Sequence, residues 1–303
     1  MIYDAIIVGG GPAGLSGALA LGRAVKRVRL CDSGPRRNAA AEQIHNFVTR
    51  DGTPPEQFRE AARQQLGSYE KVELSSDRVE EISGSRGAFR VSLSSGQVQA
   101  RRVLLCTGMV DEMLDVEGFR ELWGQAIFQC PYCHGWEVKN RSWGYWARTP
   151  QMLHFPLQLR GWSKDVVVFT GGAFELPEEV ASRFQAVGVA CDQRPIRRLI
   201  SRDGKLEAIE FTDGSQRACE VLFSHPPQRQ VDLVRQLGLA LDEDGFVRVD
   251  PVTRETSIPG IYAAGDLQSK MQGAIIAAAS AAHAAAMLNH ELTVELALSG
   301  ELG

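Results

Sequence analysis

The 303 residues carry 44% hydrophobic and 23% charged side chains, which excludes a disordered, collagen-like or coiled-coil chain. The 33 basic and 37 acidic side chains leave a net charge of −4, without the basic excess that a nucleic-acid surface needs. The length predicts about two domains, each large enough to bury a core.

Residues 3–9 are a short β-rich run that predicts a buried parallel strand. Asp4 stands where a secretory signal would carry basic residues, so the expected location is cytoplasmic. Gly9-Gly10-Gly11-Pro12-Ala13-Gly14 follows and leads into an apolar helix from about Leu15 to Val25. A second strand, 28–32, ends on Asp32, eighteen residues after Gly14. This is a βαβ unit with GxGxxG at its first turn, the arrangement of a dinucleotide site. Gly9 permits the tight turn, Gly11 lets a diphosphate approach the backbone, and Gly14 lets the helix pack on the strand. Pro12 and Ala13 complete the loop. The free N–H groups of the helix start hold the pyrophosphate, and Asp32 accepts hydrogen bonds from ribose hydroxyls.

Residues 33–56 read as a loop that holds Arg37, Asn38, His45 and Asn46. Residues 54–66 read as a helix with prolines at its start. From 71 to 105 the pattern is strand-like and ends in Cys106-Thr107-Gly108. Near Met113 a second α/β region begins. It contains CPYCHGWE (130–137), a strand at 142–147, a helix near 151–161, a strand at 165–169, a helix at 178–187, and strands up to about 224. Near the end, IYAAGD closes on Gly265-Asp266, and a long helix runs from about Gly273 beyond Asn289. Its alanine-rich stretch is interrupted by Ser280 and His283. No run reaches the ~18 consecutive apolar residues of a membrane span, so no membrane partner is expected.

Asp266 ahead of that helix suits a ribityl hydroxyl, and the helix start at Gln272, Gly273 and Ala274 suits negative charge on a reduced flavin ring. The combination fits FAD better than NAD. Of six cysteines, only Cys130 and Cys133 form a CxxC pair, which in a cytoplasmic chain points to redox or metal chemistry. A zinc site needs four ligands, and the sequence offers no second CxxC or HxxxH. Pro131 and Gly135 predict a turn into a helix, where a thiol pKa falls and the thiolate is the nucleophile. His134 is placed to handle the proton. Cys31, Cys106, Cys191 and Cys219 read as structural, as do His154, His225, His283 and His290. Trp136, Trp143, Tyr145 and Trp146 read as core or domain-interface packing.

GGGPAG (9–14), the TG-x-x-D of Thr107, Gly108 and Asp111, CPYCHG (130–135) and TSIPGIYAAGD (256–266) together resemble the low-molecular-weight thioredoxin reductase family over nearly the whole chain. The resemblance implies an α/β fold of two Rossmann-like, three-layer domains, with the FAD domain (1–112 and 245–303) split by an inserted CxxC domain (113–244). It implies a homodimer, Cys133 as the flavin-facing thiol and Cys130 as the thiol that meets substrate. The family's usual Asp after the second cysteine is His134 here. The family's second GxGxxA and its basic cluster for the 2′-phosphate are missing. The strand 142–147 runs into Ala147-Arg148-Thr149-Pro150, Gly144 lies inside it, and the next strand ends in Thr170-Gly171-Gly172. Arg148 reads as a lone solvated arginine. In this respect the chain is similar to the dithiol oxidases of the gliotoxin and holomycin type, and NADPH binding is not expected. The expected electron donor is a small dithiol or a thioredoxin-like protein, with oxygen as a candidate acceptor. An NADPH-dependent reductase with a degenerate loop and a flavin-bound redox sensor are the alternatives.

Overall fold

The computed structural model describes residues 2–34 and 36–301. The chain opens with β1 (Ile2–Val8), α1 (Pro12–Arg23) and β2 (Val28–Cys31). α1 starts at Pro12, whose fixed φ and missing N–H suit a first helical turn. It stops before Val25, which sits at φ 61. A 3-10 turn at Arg37–Ala40 and α2 (Pro55–Leu66) follow. Next come β3 (Val72–Ser75), β4 (Val79–Ser83), β5 (Phe89–Leu93), β6 (Gly96–Leu105) and the short β7 (Val110–Asp111).

The middle of the chain forms α3 (Phe119–Leu122), β8 (Ile127–Phe128), α4 (Pro131–His134) and β9 (Trp143–Trp146). The single helix expected near 151–161 is instead a 3-10 turn at Pro150–His154 and a short α5 (Phe155–Leu159). Pro156, inside the expected helix, removes a backbone donor and interrupts the α-helical ladder there. Then come β10 (Val166–Phe169), α6 (Glu178–Ala186), β11 (Val189–Asp192), β12 (Ile196–Arg202), β13 (Lys205–Phe211), β14 (Gln216–Ala218) and β15 (Val221–Ser224). The chain closes with β16 (Gln228–Arg229), α7 (Asp232–Leu237), β17 (Ile261–Ala263) and α8 (Ala274–Ser299). Among the described residues, no helix is long and apolar enough to cross a membrane.

The described residues divide into two compact units. The first lies within 1–39, 46–110 and 228–303, and the second within 40–45 and 111–227. Three details differ from the sequence expectation, the first being that residues 111–112 belong to the second unit. Residues 228–244 pack with the first unit, and the short segment 40–45 packs with the second.

In the first unit, the described residues form a seven-stranded sheet, β3-β2-β1-β6-β5-β4, with β17 also on β6. The β1, β2, β3, β6 and β17 pairings are parallel, while β4, β5 and β6 form an antiparallel meander. Apolar side chains on both sheet faces are buried, as expected when helices or loops cover each face. One face packs Ala13, Leu15, Ala18 and Leu21 of α1 with Ala281, Ala284, Ala285 and Leu288 of α8. The other gathers Ile6, Val91, Val103, Val234, Phe246 and Ile261. In the second unit the sheet runs β11-β10-β9-β15-β8, all parallel. It is covered on one face by a core around Trp143, Tyr145, Val168 and Phe223, and on the other by Phe119, Trp146, Phe169, Phe211 and Leu222.

Candidate functional site

In the first unit the carboxyl end of β1 delivers the glycine loop. Gly9 has φ +108, and a Cβ there would stand 2.3 Å from Cys106 O. A Cβ on Gly14 would stand 1.8 Å from Gly9 O, so the helix closes on the loop only without a side chain. Gly10, given no role from the sequence, is excluded from bearing a side chain by Asp32, whose Oδ2 would lie 2.3 Å from its Cβ. Above Gly11 a Cβ would meet nothing within 4 Å. Gly11 also caps α1 without any side-chain hydrogen bond, and Pro12 and Ala13 begin the helix. An open space above a helix start whose N–H groups lack a side-chain cap is a cradle for a diphosphate.

Thr107, at the end of the neighbouring β6, supplies an independent sign of a ligand. Its Oγ1 is buried and has no hydrogen-bond partner. Its Cα lies 3.3 Å from the Cβ position of Gly9. Gly108 continues the turn at φ +66. Asp32 is held by Arg59, which donates Nη2–H to Oδ2, and by the Gly34 N–H at 3.2 Å from Oδ1. A carboxylate has acceptor capacity beyond those two bonds, so Asp32 can still receive ribose hydroxyls.

Sequence-distant residues complete the site. Arg37 Nη1 donates to Asp266 Oδ2 at 2.8 Å and to Gln272 Oε1 at 2.6 Å. Gln272 Nε2 in turn donates to Gln228 Oε1 at 2.9 Å. Ser280 on α8 accepts the Gly265 N–H at 2.9 Å and donates to Ala277 O at 2.9 Å, which fixes the turn that carries Asp266. Gly273 caps α8 with no side-chain bond, and Ala274 opens the helix. Asn38 lies in the same 3-10 turn as Arg37. Asn46 sits at φ 61, with its N–H on Asp51 Oδ1 at 2.8 Å. The open cradle, the orphaned Thr107 hydroxyl and the Asp266 carboxylate beside an uncapped helix start fit FAD. Arg59, Gln228 and Ser280 carried no motif, and of these only Arg59, on a helix with Glu56 in its first turn, showed any charge pattern.

In the second unit Cys130 caps α4, and Pro131 opens it. Cys133 Sγ donates to Cys130 Sγ at 2.6 Å, and no disulfide joins the two in this structure. The Cys130 thiol is brought down to about 7 by that hydrogen bond, with help from the Cys133 and Tyr132 N–H groups and against the effect of burial. His134 stacks on Phe128 with ring centroids 4.4 Å apart and 15° between planes. Burial, together with the charge of His45, pushes it down to about 4. Burial thus favours the neutral imidazole of His134 at ordinary pH, the form that accepts a proton. His45 Nε2 lies 3.6 Å from Glu137 Oε1.

The carboxyl end of β9 differs sharply from that of β1. Arg148 is partly buried. Its Nη2 donates to His225 O at 2.9 Å, and its Nε is enclosed with no partner. This corrects the reading of a solvated arginine. Burial lowers its pKa, as it does for His225, which is pushed down to about 4. Tyr145 OH and His225 Nδ1 lie 3.2 Å apart, and Phe155 meets the His225 ring edge-on at 4.7 Å. His225, read as structural, packs at the strand end against Tyr145, Arg148 and Phe155. Trp143, Tyr145 and Trp146 are buried as expected, whereas Trp136 is 70% exposed with Lys139 Nζ over its ring.

The family described as pyridine nucleotide-disulphide oxidoreductase matches residues 3–174 and 174–286. Thioredoxin reductase tcpT of Claviceps purpurea is 35% identical, over 97% of this chain and 96% of its own. Thioredoxin reductase sirT of Leptosphaeria maculans is 30% identical, over 96% and 94%. The crystal structure of an oxidoreductase from Agrobacterium tumefaciens superposes with a TM-score of 0.91 at 34% identity, covering 97% of this chain and 99% of that one.

Proposed function

The chain belongs to the pyridine nucleotide-disulphide oxidoreductase family, and we propose that within it the protein is a dithiol oxidase that works without NADPH. FAD is its cofactor. The observation that carries the thiol chemistry is the Cys130–Cys133 pair, with the Cys130 thiol brought down to about 7. A substrate thiolate attacks Cys130 Sγ of the oxidised pair. A substrate–Cys130 bond forms, the Cys130–Cys133 bond breaks, and Cys133 leaves with its electron pair. The second substrate thiolate then attacks the substrate sulfur bound to Cys130. The substrate disulfide forms, and Cys130 leaves as a thiolate, which its low pKa favours. Bound FAD supplies the two-electron carrier that re-oxidises the pair. In sum, one dithiol loses two electrons and two protons to molecular oxygen, giving one disulfide and one hydrogen peroxide.

The first-unit residues hold FAD in this reading. The Gly9–Gly14 loop and the start of α1 take the diphosphate, Asp32 the ribose, and Asp266 the ribityl chain. Gln272, Gly273 and Ala274 lie at the flavin ring. NADPH independence is supported by the end of β9, where Tyr145 and Arg148 each bond to His225 at the place a nicotinamide dinucleotide would need open. A thioredoxin-like protein is the second candidate donor, since curated relatives carry the name thioredoxin reductase. We place the protein in the cytoplasm as a homodimer. Oxygen consumption with dithiothreitol tests the function. Turnover should be at least about a thousandfold lower in Cys130→Ser, with flavin content unchanged. A Cys130→Ser protein with full turnover contradicts the reading.

A further inference from the structure

The carboxylate placed for the ribose is gripped by a cation that no motif announced. The Asp32 side chain is 10% exposed and that of Arg59 11%. A carboxylate this far out of water needs a paired charge and fixed donors. Arg59 Nη2 donates to Oδ2, and the Gly34 N–H reaches Oδ1 at 3.2 Å, so both oxygens are tied. Oδ2 also faces the glycine loop, because a Cβ on Gly10 would stand 2.3 Å from it. Arg59 is held in turn. One turn earlier on α2 lies Glu56, whose Oε2 is 3.5 Å from Arg59 Nη1 and also pairs with Arg36. Arg63, a further turn on, comes only to 4.0 Å from Asp32 and is 36% exposed. The Nε of Arg59 is enclosed without a hydrogen-bond partner, so the guanidinium is committed to the carboxylates and to little else.

We propose that Arg59 is a positioning residue for FAD, which fixes the Asp32 carboxylate to take the ribose and offsets its charge beside the diphosphate. This rests on the placement of the diphosphate at Gly9–Gly14 and of the ribose at Asp32 proposed above. The loop 9–14 contains no basic side chain. A diphosphate there is met by backbone N–H groups and the partial positive charge of a helix start. An uncompensated carboxylate against the same loop would repel it. Arg59 cancels that repulsion and leaves the space above Gly11 open, where a Cβ would meet nothing within 4 Å. Orientation matters as well as charge. Ribose hydroxyls donate to carboxylate lone pairs, which lie in the plane of the group. Donors on both oxygens fix that plane, whereas with the Gly34 N–H alone the carboxylate is free to turn about its Cβ–Cγ bond. A forked guanidinium serves Asp32 and Glu56 together, which a lysine ammonium does not do in the same geometry.

The test measures FAD rebinding to the full chain stripped of flavin, by quenching of flavin fluorescence, with melting of each apoprotein followed by circular dichroism. Arg59→Gln should raise the FAD dissociation constant about tenfold or more. Arg59→Lys keeps the charge without the fork and should cost about threefold. Asp32→Ala should also cost about tenfold. In the Asp32→Ala background, Arg59→Gln should add less than about twofold, because no carboxylate is left to position. A guanidinium that only supported the fold would lower the melting temperature and leave the affinity of the folded protein unchanged. Wild-type affinity in Arg59→Gln beside a weakened Asp32→Ala overturns the proposal, and so does an equal loss in both backgrounds. Should Arg59→Gln fail to fold, Arg59→Lys decides, and wild-type affinity there overturns the proposal. Wild-type affinity in Asp32→Ala defeats the ribose placement itself, and the role of Arg59 with it.

Discussion

Two strand ends in this chain, the end of β1 and the end of β9, occupy the same position in a parallel sheet, and the sequence treats them in opposite ways. After β1 come three consecutive glycines and then a twelve-residue helix. The loop is open above Gly11, and the neighbouring Thr107 hydroxyl waits for a partner. After β9 come Ala147, Arg148, Thr149 and Pro150, then a 3-10 turn and a five-residue helix. There the space is spanned by side chains, with Arg148 on the His225 carbonyl, Tyr145 at the His225 ring and Phe155 beside it. A doubly wound sheet presents a crevice at its carboxyl edge whatever its sequence. Small residues and a long helix start keep that crevice available for a dinucleotide, whereas the large side chains packed at the end of β9 are the basis of the proposed NADPH independence.

The comparison can be broken most severely at the open end. Gly11→Val adds a side chain where a Cβ meets nothing within 4 Å, so the apoprotein should fold with unchanged stability and yet purify without flavin colour. A yellow Gly11→Val protein would remove the diphosphate from that loop. In the second unit, acid should charge the buried imidazoles of α4 and of the β9 end. His134 and His225 both titrate near 4, below the ordinary histidine value of 6.5. The unfolded chain therefore binds their protons first as pH falls. Their contribution to stability is whole above pH 6.5, is lost between 6.5 and 4, and is level below. The loss is at most about 3 kcal/mol for each ring, readable by denaturant melts across that range. His225→Phe should flatten part of that slope.

Smaller effects follow from single bonds. Arg148→Met keeps the bulk but takes a donor from the partly buried His225 carbonyl, at a cost of about 1 kcal/mol, and should not create NADPH binding. Tyr145→Phe removes only the hydroxyl contact with His225 and should cost about 1 kcal/mol. If Arg148→Met instead let NADPH bleach the flavin, the closed end would be a gate and not a core.

The open end was readable because its chemistry is local. Gly9, Gly11, Gly14 and Asp32 declare themselves by spacing within one βαβ unit, and the CxxC pair lies within four residues. The closed end was not, because an arginine in a loop has no periodicity to betray its burial, and its partner His225 lies 77 positions away. Arg59 on Asp32, Gln228 on Gln272 and Ser280 on the Gly265 N–H are likewise contacts made by tertiary folding between segments with no shared motif. His45 reaches Glu137 only because six residues of a long loop pack away from their neighbours in sequence. Trp136 shows the reverse error, an aromatic assigned to packing that stands in solvent under Lys139.

An anaerobic titration of the purified protein, followed by flavin absorbance, tests the central claim most directly. Dithiothreitol should bleach the flavin, and its colour should return in air, while NADPH should leave the spectrum unchanged. Rapid bleaching by NADPH would contradict the account, because the end of β9 would then have to hold a nicotinamide dinucleotide.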